Sequence, residues 1–592
     1  MQKLDPTKLA DWQIAEAAEE NMLPPEKLAA KLGILPSELI PSGTSIARID
    51  QLAVRRRLAD APLGRYIDVT AITPTPLGEG KTTSAIGLID ALALRGHRVS
   101  GAIRQPSSGP TFNIKGSAAG GGLAQCIPLS LLSMGLTGDI DKITNAHNLG
   151  MVALTARMQH ERNYDDAVLA AKGLKRLDID PDRVEWKWVI DFCAQSLRNI
   201  VIGMGGGKNN GVEMRSGFDI SVSSELMAIL AMSDSLADMR RRISKVVLAY
   251  NRKGEPVTTA DVGVDGAMAA FLVGTMNPTL MQTIEGNPIL VHAGPFANIA
   301  IGQSSIIADQ IGLRTSEYHV TESGFASDIG YEKFADLKCG ASGLTPSAVV
   351  IVATIRALKM HGGGPVVKPG KPLDSAYTSE NLELVEKGCE NLLAHIDIVR
   401  RTGIRPVVCI NGFHTDTEAE YALVKRIAEH GGAFACAVSR HWQFGGQGAL
   451  ELAEAVEAAA DSVKPGDFHP VYCNDWPIRR RIETIATDIY GADGVDFAPL
   501  ALEQIEKLEV SGDAASMGIC MVKTQQSLSH DPLLKGRPKG WRLPVREIRT
   551  YRGAGFMVPV AGDINLMPGT GSTPAFHKID VDVESGKIRG LY

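Results

Sequence analysis

The 592-residue sequence contains no C-x-x-C pair, no H-E-x-x-H, no zinc-ligand spacing and no G-x-S-x-G elbow. These absences exclude zinc hydrolase and serine hydrolase chemistry of the usual patterns. Cysteine is sparse: eight residues stand singly, and the nearest two, Cys389 and Cys409, are 20 positions apart. Such dispersed thiols read as reduced, mostly buried residues of a cytoplasmic protein. No apolar run reaches the ~18 residues that a membrane span requires. The amino-terminal segment carries Asp5, Glu16, Glu19 and Glu20 without an apolar run behind a basic start, so no signal peptide is expected. A net charge of -6 gives no general attraction to nucleic acid or anionic lipid, and any anion needs a local site.

What is present is an ordinary globular composition, 44% hydrophobic and 22% charged. The length exceeds what one core of about 250–300 residues accommodates, so several domains are expected. Residues 1–60 read as a polar helical segment broken by Pro24, Pro25 and Pro36, packing on the first domain. Residues 61–290 read as a nucleotide domain, 291–475 as a second α/β domain, and 476–592 as a small carboxy-terminal one.

Tyr66–Ile72 reads as a strand, 73–80 as a loop, Lys81 to Leu94 as a helix and Arg98–Arg104 as a second strand. Strand, helix and strand in about 40 residues make a βαβ unit. Similar units recur at 349–361 and 406–430. The fold class is therefore α/β, a P-loop-like, mostly parallel sheet flanked by helices, with two smaller α/β domains. Glycine-rich loops at 116–122, 203–211 and 362–364 permit close backbone approach or positive φ.

The run Thr75, Pro76, Leu77, Gly78, Glu79, Gly80, Lys81 and Thr82 is a phosphate-cradling loop with Thr75 in place of its first glycine. Backbone N–H groups of such a loop and the positive end of the next helix hold phosphate oxygens. Lys81 can reach the β- and γ-phosphates of ATP, and the Thr82 hydroxyl can join a Mg²⁺ shell. Asp191, closing the run Trp188–Ile190, is either a second magnesium-positioning acid or an ordinary strand-end aspartate. A dinucleotide reading of Gly203-x-Gly205 fails, because Lys208 stands where a third glycine belongs.

Several longer motifs resemble the formate–tetrahydrofolate ligase family. They are T-P-T-P-L-G-E-G-K-T-T (73–83), R-Q-P-S-S-G-P-T-F-N-I-K-G-S-A-A-G-G-G (104–122), L-T-G-D-I (136–140), G-F-D-I-S-V-S-S-E-L-M-A (217–228), H-A-G-P-F-A-N-I-A (292–300) and V-A-T-I-R-A-L-K-M-H-G-G (352–363). The resemblance runs from about residue 60 to the end. It implies a three-domain subunit, a homotetramer, and ATP-driven ligation of formate to tetrahydrofolate through formyl phosphate, with a response to a monovalent cation.

The resemblance also assigns residues. Arg104, whose planar fork suits an acyl phosphate, and His147, in N-A-H-N, match family residues near the reaction centre. Gly116, Gly120, Gly121 and Gly122 form a loop able to approach the formyl phosphate. Phe413 and Trp442 match the aromatic pair that sandwiches the pterin.

The sequence departs from the family pattern at Asn113, Ser117, Asp141, Ile301, Gly340 and Gly571. Cavity-lining changes of this kind would weaken formyl-phosphate stabilisation by a few kcal/mol. They leave open a paralogue with another acid or acceptor, or a non-catalytic P-loop ATPase.

Overall fold

The structure, a computed structural model, describes residues 4–113, 116, 118–297, 300–367, 372–562 and 565–591. Its centre is a twelve-stranded sheet. Ten of the strands run in one hydrogen-bonded path: β1 (Leu39–Ser42), β2 (Ile46–Ile49), β3 (Arg65–Ala71), β4 (Val99–Ile103), β5 (Thr279–Thr283), β6 (Pro288–Val291), β7 (Tyr318–Glu322), β8 (Ala348–Ala353), β9 (Val407–Asn411) and β10 (Ala435–Ser439). Their spatial order is β1-β2-β5-β6-β4-β7-β3-β8-β9-β10. From β6 to β10 every neighbouring pair is parallel. The β1, β2, β5 and β6 pairings are antiparallel.

The central strands are apolar along their whole length because both faces are covered. On β8, Val349, Ile351 and Ala353 enter one core and Ala348, Val350 and Val352 the other. Helix α1 (Lys81–Leu94) packs on the second face through Ala85, Leu88, Ile89 and Leu92. On the first face lie α2 (Ile355–His361), α3 (Leu382–Arg400) and α4 (Glu418–His430). Thr417 caps α4 through its side chain, which accepts the Glu420 N–H, while Glu420 reaches back to the cap.

Three expectations change. The segment 1–60 is not only helical, since β1 and β2 extend the main sheet, and all four residues of β2 are buried. Pro36, read as a helix break, opens the short turn before the edge strand β1, and Pro41 sits on that strand, where a missing N–H is tolerated. The strands β3 and β4 are parallel but not adjacent, because β7 is inserted between them. The boundaries at 290 and 475 do not divide the cores. One sheet draws strands from 39 to 439, and Ile478, Ile482, Leu508, Ile519 and Met557 share a core with Val349 and Ile351. The 476–592 region does carry its own small sheet, in which Phe556–Val560 lies between Gly518–Ile519 and Glu547–Tyr551.

Because the seven parallel strands point the same way, their carboxyl ends form one edge. The turns leaving β4, β7, β3, β8, β9 and β10 stand side by side along it. In open α/β sheets this is where ligands bind.

Candidate active site

The loop after β3 is built from its own sequence. The Gly78 N–H donates to the Thr75 carbonyl (3.1 Å), and the Glu79 carboxylate accepts both the Thr75 N–H (2.7 Å) and its hydroxyl (3.1 Å). Pro76 and Gly78 are exposed at the tip, Leu77 is half-buried, and Glu79 is buried. Gly78 and Gly80 have φ of +73° and +76°. A Cβ on Gly80 would also stand 2.5 Å from the Asn411 amide nitrogen. That amide donates to the Glu79 carbonyl (3.1 Å), tying the loop to the end of β9.

Helix α1 then starts at Lys81, directing its first-turn N–H groups and positive end toward the loop. Burial is the largest influence on Lys81 and lowers its ammonium pKa, with Arg104 acting the same way against Glu79 and Glu322. Glu79 is pushed up by burial, and Lys81 opposes that shift.

Glu322, the last residue of β7, completes this cluster. Its Oε2 accepts the Thr82 hydroxyl at 2.6 Å, and its Oε1 lies 3.7 Å from Arg104 Nη2. Arg104 follows β4, and its buried Nε makes no hydrogen bond among the described residues. Three neighbouring strands thus deliver Arg104, Glu322, and the Lys81–Thr82 pair to one place. Glu322 escaped the sequence reading because it is 240 residues from Thr82. Its only signal is an acid ending the alternating run Tyr318–Glu322. Asp191, the acid considered in the sequence, instead accepts Ser107 Oγ (2.6 Å) and the Ser108 N–H (2.7 Å).

The aromatic pair follows the next strands along the edge. Phe413 lies just past β9 and Trp442 just past β10, both partly exposed, with the Gly412 N–H donating to Ser439 (2.9 Å). The glycines at 120–122 meet Trp442. Leu123 N–H donates to the Trp442 carbonyl (2.9 Å), and a Cβ on Gly121 would lie 3.6 Å from the indole. Gly122 has φ +58° and its N–H donates to Asp11 (2.8 Å), so the amino-terminal segment braces this loop. Gly116 also has positive φ, +70°. His441, beside Trp442, accepts or donates to Ser439 Oγ (2.7 Å) and Ser84 Oγ (3.2 Å) under α1.

His147 is placed differently. Its ring stacks on Trp186 at 3.9 Å, Nε2 donates to the Lys187 carbonyl (2.8 Å), and Nδ1 meets Ser224 Oγ (2.8 Å). Burial holds it neutral, with a pKa lowered to about 4. Both ring nitrogens are engaged, and nothing joins it to the Lys81–Glu322 cluster in the described contacts.

The departing positions separate as well. Asn113 donates to the Gly569 carbonyl (2.8 Å) and accepts the Gly571 N–H (3.1 Å), so two of the unusual residues are partners of each other. Ile301 is buried in an apolar core, Asp141 and Gly340 are exposed, and Ser117 lies outside the described residues.

The chain matches the family described as formate–tetrahydrofolate ligase over residues 9–592. The chain belongs to that family. A formate–tetrahydrofolate ligase from Dehalococcoides mccartyi (strain ATCC BAA-2266 / KCTC 15142 / 195) is 61% identical over the whole chain and 98% of its own length. One from Desulforapulum autotrophicum is 60% identical over the full length of both, and one from Syntrophobacter fumaroxidans is 55% identical over 99% of this chain and all of its own. At this similarity the unusual residues mark variation within the formate–tetrahydrofolate ligase family. The paralogue and non-catalytic readings have no support.

Proposed function

We propose that the chain joins formate to tetrahydrofolate at the expense of ATP, yielding 10-formyltetrahydrofolate, ADP and phosphate. The observation that carries the reading is the convergence of Lys81, Thr82, Arg104 and Glu322 at the carboxyl edge, from the ends of three consecutive strands. A formate oxygen attacks the γ-phosphorus and ADP leaves, giving formyl phosphate. The tetrahydrofolate amine then attacks the formyl carbon, and phosphate leaves. A carboxylate alone is a poor acyl donor, and the mixed anhydride removes that obstacle.

In this reading the loop amides of 75–82 and Lys81 hold the nucleotide phosphates. Arg104 turns its unpaired Nε and its fork to the acyl phosphate, where charge develops. The oxygen donors Thr82 and Glu322 suit a hard divalent cation and would hold Mg²⁺, directly or through water. Bound there, Mg²⁺ neutralises phosphate charge. Phe413 and Trp442 receive the pterin, and Gly116 and Gly120–Gly122 line the approach. The mechanism gives His147 no step. A homotetramer, a cytoplasmic setting and a response to a monovalent cation accompany the proposal. No helix among the described residues is long and apolar enough to cross a membrane.

ADP release from the purified protein, with Mg²⁺ and ATP, tests the reading when formate, acetate and tetrahydrofolate are added in turn. Release that needs formate together with tetrahydrofolate and ignores acetate is expected. Slow release indifferent to all three would contradict it.

A further inference from the structure

Arg356 lies in V-A-T-I-R-A-L-K, in the first turn of α2 directly after β8. Its guanidinium carbon sits 4.3 Å from the centroid of the Phe413 ring. Arg356 Nη2 donates to Thr415 Oγ1 (3.1 Å), two residues beyond Phe413. Asp416, on the same loop, accepts the Phe413 N–H (2.8 Å) and lies within the field of Arg356. The guanidinium is therefore fixed to the loop that carries the ring, with its Nε buried and making no hydrogen bond among the described residues.

The topology gives this stack a direction. The strands β8, β9 and β10 are consecutive parallel neighbours. Residues that follow them come in the order Arg356, Phe413, Trp442 along the edge. Arg356 comes from the β8 side of Phe413, and Trp442 follows the strand on its other side.

We propose that Arg356 is a positioning residue for the folate substrate: it backs the Phe413 ring, so that the pterin is received between Phe413 and Trp442 in a four-layer stack. The inference rests on the reading of those two aromatics as the pterin walls. A cation held on one face draws π-electron density from the ring. The other face then suits an electron-rich reduced pterin better than an electron-poor oxidised one. Arg356 thus contributes to the choice of tetrahydrofolate over folate without touching either.

The test is a double-mutant cycle on the full-length enzyme, with KM for tetrahydrofolate and for ATP, kcat, and inhibition by oxidised folate as readouts. Arg356→Ala is expected to raise the tetrahydrofolate KM about tenfold, with the ATP KM within about twofold of the parent. Preference for tetrahydrofolate over oxidised folate should shrink. Arg356→Lys keeps a cation without the planar fork and should recover part of the loss. In a Phe413→Ala background, Arg356→Ala should add nothing further. An unchanged tetrahydrofolate KM in Arg356→Ala, or the same tenfold loss with Phe413 already absent, would overturn the inference. A normal tetrahydrofolate KM in Phe413→Ala alone would remove the pterin placement, and the role of Arg356 with it.

Discussion

Before any ligand arrives, four charged side chains have to coexist at the mouth of the phosphate loop. Glu322 sits between Thr82 and Arg104 and offsets the cations that a triphosphate would otherwise offset. Lys81→Ala removes the ammonium that the proposed function sets against the terminal phosphates. It should lower kcat by at least about a hundredfold, measured as formyltetrahydrofolate formation. Glu322→Gln keeps the shape and a hydrogen-bond acceptor for Thr82 but removes the charge. The Mg²⁺ concentration for half-maximal ATP binding should rise about tenfold while the tetrahydrofolate KM is unchanged. Trp442→Ala should chiefly raise the tetrahydrofolate KM, and a normal value would contradict the stacking assignment.

His147 invites a different measurement. Its folded pKa, about 4, lies below the unfolded value of about 6.5. Between those values the unfolded chain binds the extra proton, so the stability tied to neutral His147 is complete above about pH 6.5 and lost as pH falls toward 4. His147→Gln abolishes this loss. The stability difference between parent and variant should therefore move by about 2 kcal/mol in favour of the variant from pH 7 to pH 5, read by urea unfolding.

At the scale of elements, the most regular stretches were the most legible. The strand expected over Tyr66–Ile72 is Arg65–Ala71, and the helix from Lys81 ends at Leu94. Local periodicity and the glycine turn between them carry that information unaided. The hairpin Leu39–Ile49 was hidden because its strands are four residues each and carry Pro41, so no period is established. Glu322 and Asn411 were hidden for another reason. Their roles come from strand neighbours hundreds of positions away, and no local pattern encodes which strand is inserted between which. Along β8, Ile351 is fully buried between the sheet and α2–α3. Ile351→Ala should cost about 2–5 kcal/mol, seen as a lower denaturation midpoint with an unchanged denaturant slope.

Across the whole molecule, the family and the α/β class were readable from motifs, whereas the division into domains was not. The expected cuts lie near 290 and 475, whereas pairing of β3 with β7 and β8 spans the first, and a shared core spans the second. A chain ending at residue 290 would contain Lys81, Thr82 and Arg104 yet lack Glu322, Asn411 and both neighbours of β3. It should be unfolded by circular dichroism and give no heat on titration with magnesium-ATP. A folded, nucleotide-binding fragment of that length would contradict the single-sheet account.

The amide of Asn411 joins the last peptide of the phosphate loop to the strand that ends two residues before Phe413. One side chain therefore links the two segments that the proposed function assigns to nucleotide and pterin. Thermodynamic reciprocity then sets a rule for any partial complex: whatever factor the nucleotide applies to pterin affinity, the pterin applies to nucleotide affinity.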